Sequence, residues 1–232
     1  MSIAERVSKV RANIAAACEV CGRDSAGVEL LPVSKRHPVS AIREAMDAGL
    51  CTLGENRVQE LVEKAGQLAG SGASWHLIGS LQTNKVNQLL RVPDLVLLHS
   101  LDRVKLADAL QSALAAESRS LRVLIQVNAT GEQSKHGVAV SEAPALLSHV
   151  KDCCPDLEVV GLMAMGPLHA DSARTFREVA RLREDLRESS GLDLHTLSMG
   201  MTGDLAEAIA AGSTMVRVGT DVFGPRPNTT AN

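Results

Sequence analysis

Val28-Glu29-Leu30-Leu31-Pro32-Val33-Ser34-Lys35 is a short, largely apolar run bounded by turn residues, and it ends on a lysine. Such a run is too short for an ordinary helix and reads as a buried strand. Pro38 follows, where it can sit in the first turn of a helix because the missing N–H is not needed there. Lys35 therefore tops a strand and faces whatever the next loops enclose. Burial disfavours an ammonium, and a neutral amine can attack a carbonyl, so Lys35 is a candidate for Schiff-base chemistry. Taken alone, a solvated lysine at a strand end is the commoner case. The rest of the chain has to decide.

Moving outward, further apolar runs occupy residues 51–55, 74–79, 94–99, 121–128, 157–163, 194–198 and 214–218. Helical patterns separate them. In 38–48, Ile42, Ala45 and Met46 form a stripe, and Gly49 stands where a C-cap glycine would. In 102–116, Asp102 can cap while Val104, Ala107, Leu110 and Leu114 face inward. In 171–189, Phe176, Val179, Leu182 and Leu186 do the same, with Gly191 beyond. Residues 2–18, with Ile3, Val7, Val10 and Ile14 on one side, add a helix in front. Eight strands alternating with seven helices predict a parallel sheet, most simply closed as an α/β fold of the (β/α)8 TIM-barrel type with an extra N-terminal helix. An open doubly wound sheet is the rival, but no G-x-G-x-x-G turn follows the first strand. With no linker, repeat or low-complexity stretch, residues 1–232 are expected to form a single domain.

A length of 232 residues is ordinary for one such barrel. Apolar residues make up 45% but aromatics only 1%: Trp75, Phe176 and Phe223, with no tyrosine. The core must then be built from Leu, Val, Ala, Ile and Met. A net charge of −3 with 22% charged residues shows no bias toward polyanions, and few rings are available to stack on bases, which argues against nucleic acid. The first residues do not resemble a signal peptide, and no apolar run reaches membrane-spanning length, so no membrane association and a cytoplasmic location are expected. Five cysteines include Cys18-Glu19-Val20-Cys21, but no second pair stands at zinc-site spacing. They are read as reduced structural thiols, with no metal ligand among them.

In a barrel of this kind the site lies at the carboxyl ends of the strands, with phosphate commonly held after the seventh and eighth. The seventh run ends Leu197-Ser198-Met199-Gly200-Met201-Thr202, a hydroxyl and small residue before a helix start. Free backbone N–H groups in such a loop can cradle an anion. The eighth ends Val216-Arg217-Val218-Gly219-Thr220, adding a cation, a glycine for close approach and another hydroxyl. Either loop alone could be ordinary turn and cap chemistry. Strands one and eight are neighbours in a closed barrel, however, which places Lys35 and Arg217 beside the same loops. A Schiff-base lysine next to a phosphate cradle suggests pyridoxal 5′-phosphate, PLP.

Several motifs occur in order: Leu31-Pro32-Val33-Ser34-Lys35, Gly54-Glu55-Asn56-Arg57-Val58-Gln59-Glu60, Trp75-His76-Leu77-Ile78-Gly79-Ser80-Leu81-Gln82-Thr83-Asn84-Lys85, Gly161-Leu162-Met163-Ala164-Met165, Leu197 to Asp204, Gly212 to Thr220, and Phe223-Gly224. With these the sequence resembles, over nearly its whole length, the pyridoxal phosphate homeostasis protein family, which shares its barrel with the N-terminal domain of alanine racemase. The resemblance implies that Lys35 carries the cofactor as a Schiff base. It implies that Ser198, Gly219 and Thr220 hold the phosphate, and that Arg217 faces the pyridine nitrogen, making the ring a poorer electron sink. Met199, Gly200 and Thr202 share the phosphate loop, while Asn56 and His76 match positions lining the same mouth; for His76 a satisfied core histidine is the competing reading. Arg57 departs from a common tyrosine, and Thr83 and Thr202 from common serines. The loop after the fifth strand, which carries Lys135, reads as a mobile solvated loop, though Lys135 could attract phosphate.

A racemase needs a base on each face of the substrate α-carbon. Alanine racemase takes its second base, a tyrosine, from a further domain of a partner subunit, and this chain has no tyrosine. The expectation is therefore a PLP-binding protein of vitamin B6 homeostasis and amino-acid balance with no catalytic residue of its own, possible recipients being PLP-dependent apoenzymes. Its open mouth suggests a monomer, with a weak dimer as the alternative. A single-domain amino-acid racemase and a cofactor-free Schiff-base aldolase are the rivals.

Overall fold

The structure is a computed structural model describing residues 1–132, 136–167 and 171–225. Helix α1 (Ile3–Val20) begins with a capping box, Glu5 N–H donating to Ser2 Oγ at 3.2 Å while Ser2 N–H donates to Glu5 Oε2 at 2.8 Å. Its buried stripe is Ile3, Val7, Val10, Ile14 and Cys18. Strand and helix then alternate: β1 (Glu29–Pro32), α2 (Val39–Asp47), β2 (Thr52–Glu55), α3 (Val58–Gln67), β3 (Ser74–Leu77), α4 (Val86–Leu90), β4 (Leu95–Leu101), α5 (Val104–Glu117) and β5 (Leu121–Asn128). A two-residue strand, β6 (Val138–Ala139), precedes α6 (Ala143–Cys153), and the alternation resumes with β7 (Leu157–Ala164), α7 (Ser172–Ser190), β8 (Thr196–Ser198), α8 (Leu205–Ala210), β9 (Met215–Val218) and α9 (Thr220–Phe223).

All the strand pairings are parallel, in the order β1-β9-β8-β7-β5-β4-β3-β2, with β6 beside β5. The ring closes where Val33 bridges Gly54, with Ser34 N–H donating to the Gly54 carbonyl at 3.0 Å. The expected (β/α)8 barrel and its leading helix are therefore present. Two apolar layers hold it. One cluster fills the barrel itself, among it Leu31, Leu97, Leu124, Val160, Met163 and Met215. The larger one lies between sheet and helices and contains the only tryptophan, Trp75, and Phe176, both essentially inaccessible. Each such fully buried side chain is worth roughly 1.5–3 kcal/mol of transfer free energy, so the fold does not need more aromatics.

Local details correct some expectations. Pro38 occupies the N-cap of α2 rather than its first turn, and Ala48 caps its end with Gly49 one step beyond at φ 83°. Arg103, not Asp102, is the N-cap of α5; Asp102 pairs with the Arg103 guanidinium instead. Val104 is exposed, and Leu106 takes the inward place beside Ala107, Leu110 and Leu114. Among the described residues no helix is long and apolar enough to cross a membrane, and all five cysteines are free thiols, Cys18 and Cys154 buried.

Candidate functional site

The carboxyl ends of the strands open onto a cavity of about 350 Å³, within the range of small-molecule sites. Lys35, Asn56, Thr202, Arg217, Gly219 and Thr220 all line it. Each arrives by a different route. Lys35 lies three residues past β1, half-buried, in a turn whose next residue, Arg36, has a left-handed φ of 64°. Asn56 follows β2 directly, and Gly79 lets its backbone close in: a Cβ on Gly79 would stand 2.0 Å from the Asn56 carbonyl oxygen. Asn56 Oδ1 is buried and accepts no hydrogen bond from the described protein. Such an orphan acceptor costs about 1–3 kcal/mol unless a ligand or water donates to it.

Arg217 forms the floor. It is 4% exposed, and one Nη donates to Ser198 O at 2.6 Å and Ser198 Oγ at 2.7 Å while the other donates to Ala164 O at 2.9 Å. Burial brings its pKa down to about 10, with Asp204 opposing, so the guanidinium stays charged at neutral pH. Because Ser198 Oγ accepts from Arg217, its hydroxyl proton is directed to His99 Nδ1, 3.1 Å away. That leaves His99 Nε2 to donate to His76 Nδ1 at 3.0 Å. Burial and then His76 and Arg217 hold His99 far below the ordinary imidazole range. Burial, helped by Arg122, lowers His76 to about 3. Both rings are neutral, and the chain of bonds runs through the barrel axis in a single sense.

The family described as alanine racemase, N-terminal domain, matches residues 6–227. The Pseudomonas aeruginosa pyridoxal phosphate homeostasis protein is 45% identical over 225 residues, covering 97% of this chain and 96% of its own. The chain belongs to the pyridoxal phosphate homeostasis protein family. The human member is 41% identical over 209 residues, 85% of this chain and 76% of its own length. PipY of Synechococcus elongatus, solved with PLP bound, superposes with a TM-score of 0.82 at 32% identity, covering 96% of this chain and all of that one.

Measured against what membership of this family suggests, four residues, His76, Ser198, Met199 and Gly200, do not line the cavity. His76 is on β3 inside the barrel and borders a cavity at the opposite, amino end. Its side chain faces the axis one layer too deep, and Ile78 lines the mouth in its place. Ser198 is the last residue of β8 and fully buried; its hydroxyl serves Arg217 and His99 rather than the cavity wall. Met199 is buried too, and Met201 takes the exposed position. Gly200 shapes the loop without lining it: at φ 90° a Cβ would sit 2.6 Å from Ala208 Cβ, and its carbonyl accepts from Arg217 N–H at 3.0 Å. Lys135 lies outside the described residues.

Other wall residues were given no role by the sequence, although Met163 and Met165 belong to one of its motifs. His37 lines the cavity and stacks on Phe223 with ring centroids 5.1 Å apart. Val33, Met163, Met165, Gly203 and Asp221 also line it. His99 was hidden inside an apolar strand, where only its polarity within Leu-Leu-His-Ser-Leu could have flagged it.

Proposed function

We propose that the protein binds PLP at the carboxyl mouth through Lys35 and serves intracellular PLP homeostasis and amino-acid balance as a carrier rather than a catalyst. The observation that carries this is the single cavity shared by Lys35, Arg217 and the Gly219–Thr220 turn. A PLP-bound family member with the same barrel supports it. When bound, the cofactor supplies an electrophilic aldehyde and a phosphate on one aromatic ring. The Lys35 amine is the nucleophile suited to the aldehyde. Thr202 and Thr220 hydroxyls, with the first two amides of α9, Thr220 and Asp221, suit the phosphate. Arg217 would hold the ring nitrogen by donating a hydrogen bond while keeping its own proton. The orphan Asn56 Oδ1 offers an acceptor to a ligand donor.

Racemisation needs two proton-transferring groups on opposite faces of one carbon. The chain has no tyrosine, and the imidazole in the wall, His37, is engaged in a stack with Phe223. Both observations support the carrier reading, in which PLP-dependent apoenzymes are the recipients and a cytoplasmic monomer is the working form. Incubating the loaded protein with alanine in D2O tests it. Exchange at the α-carbon no faster than with free PLP is expected. Faster exchange accompanied by conversion of L- to D-alanine, both abolished in His37→Asn, would establish a racemase instead.

A further inference from the structure

A second lysine lies just behind Lys35, and it is buried. Lys64 on α3 is 5% exposed, and its Nζ donates to three acceptors: Glu55 Oε1 at 2.6 Å, Glu60 Oε1 at 2.8 Å and the Ser34 carbonyl at 2.7 Å. Glu55 is wholly inaccessible and also accepts from Ser34 Oγ at 2.6 Å. Glu60 Oε1 in turn accepts from the Arg36 backbone N–H. The peptide units on both sides of Lys35 are thereby tied to one ammonium–carboxylate cluster. Burial raises the Glu55 carboxyl, with Lys64 and Ser34 pulling it back incompletely. For Glu60, burial is outweighed by the Lys64 and Arg36 bonds, and its carboxyl is held below the ordinary range.

A buried ion pair is a poor stabiliser, because desolvation offsets most of its Coulomb energy. Its worth here has to be sought in geometry. Without the cluster, the turn at Arg36 would have to hold a left-handed residue with no partner for its amide, a conformation costing about 1 kcal/mol or more. None of Glu55, Glu60 or Lys64 lines the mouth. We infer that Lys64, acting with Glu55 and Glu60, is a positioning residue that holds the Lys35 turn in register with the mouth; this rests on Lys35 being the PLP attachment point.

The test compares wild type with Glu60→Ala, with the double variant Lys64→Met/Glu55→Gln, and with Glu63→Ala as the control on the same helix. The double variant is used because Lys64→Met alone would strand a buried carboxylate and could fail to fold. Three quantities are read: apparent PLP affinity from absorbance, the share of borohydride-trapped label on Lys35, and the melting midpoint. Glu60→Ala and the double variant should lose affinity roughly tenfold, as expected for a misplaced reacting group. Label should spread from Lys35 to other lysines in both, with melting lowered by only a few degrees in Glu60→Ala, where Lys64 keeps Glu55, and with Glu63→Ala unaffected throughout. Wild-type affinity and Lys35-only labelling in both cluster variants would overturn the inference. If wild type itself takes no label on Lys35, the PLP reading fails separately. Positioning is then read on the apoprotein by reductive methylation with formaldehyde: a Lys35 rate unchanged by Glu60→Ala overturns it, and a changed rate upholds it.

Discussion

The two ends of the barrel differ in a way that cavity size does not reveal. The amino end encloses about 520 Å³, more than the roughly 350 Å³ of the carboxyl mouth. Its wall is mostly strand residues and their approaches, including Glu29, Thr52, His76, Arg122, Val160, Thr196 and Met215. The mouth, above its strand residues Met163 and Arg217, is built by residues that follow the strands, Lys35, Asn56, Thr202, Gly219 and Thr220. Strand residues are fixed by the ladder, whereas loop residues can be placed to suit a ligand. The two ends communicate through His76, His99, Ser198 and Arg217, so one polar column supports the mouth from below.

Breaking that column at its top should have the largest effect. Arg217→Met removes the donor to Ser198 and Ala164 and the charge in the floor, so PLP affinity should fall about 30- to 100-fold, and stability by about 2–4 kcal/mol. Isothermal titration and urea unfolding measure the two. Gly200→Ala attacks the loop above the column. With φ at 90° and Ala208 Cβ 2.6 Å from the new methyl, it should cost about 2–3 kcal/mol in urea unfolding while leaving label on Lys35.

At the lower end, His76 distinguishes support from ligand contact. Its folded pKa of about 3 lies below the unfolded value, so the unfolded chain binds the extra proton. Stability should fall as pH drops below about 6.5, by up to about 1.4 kcal/mol per unit from this group until its folded pKa is reached. Urea midpoints between pH 6.5 and 5 should be flatter in His76→Gln than in wild type, with PLP affinity at pH 7.5 changed less than twofold. A tenfold affinity loss would restore His76 as a direct contact. The smallest effect belongs to the rim, where Thr202→Val should weaken PLP several-fold, about 1 kcal/mol for one lost hydrogen bond, with no change in melting.

The barrel was legible because its strands are short apolar runs separated by amphipathic helices, and β5 (Leu121–Asn128) falls where the apolar run lies. Which face of a strand a residue occupies was harder. Inward and outward alternate residue by residue, so the direction of His76 or Ser198 depends on a register that only the closed sheet fixes. The Glu55–Lys64 pair was missed for a related reason. Glu60 and Lys64 read as an ordinary exposed i,i+4 pair on a helix, and the hint was Glu55, an acid ending the apolar run Cys-Thr-Leu-Gly-Glu. The mouth residues Lys35, Arg217, Gly219 and Thr220 were accessible because barrel topology places them without side-chain detail, whereas Asn56 came only from the family resemblance.

The central claim is that Lys35 is the single amine at the mouth that takes up PLP. Borohydride reduction after incubation with PLP, followed by mass mapping of wild type and Lys35→Ala, tests it directly. One pyridoxyl group on the peptide containing Lys35, absent from the variant, is the predicted result. No adduct, or label of equal extent on scattered surface lysines in both proteins, would contradict it.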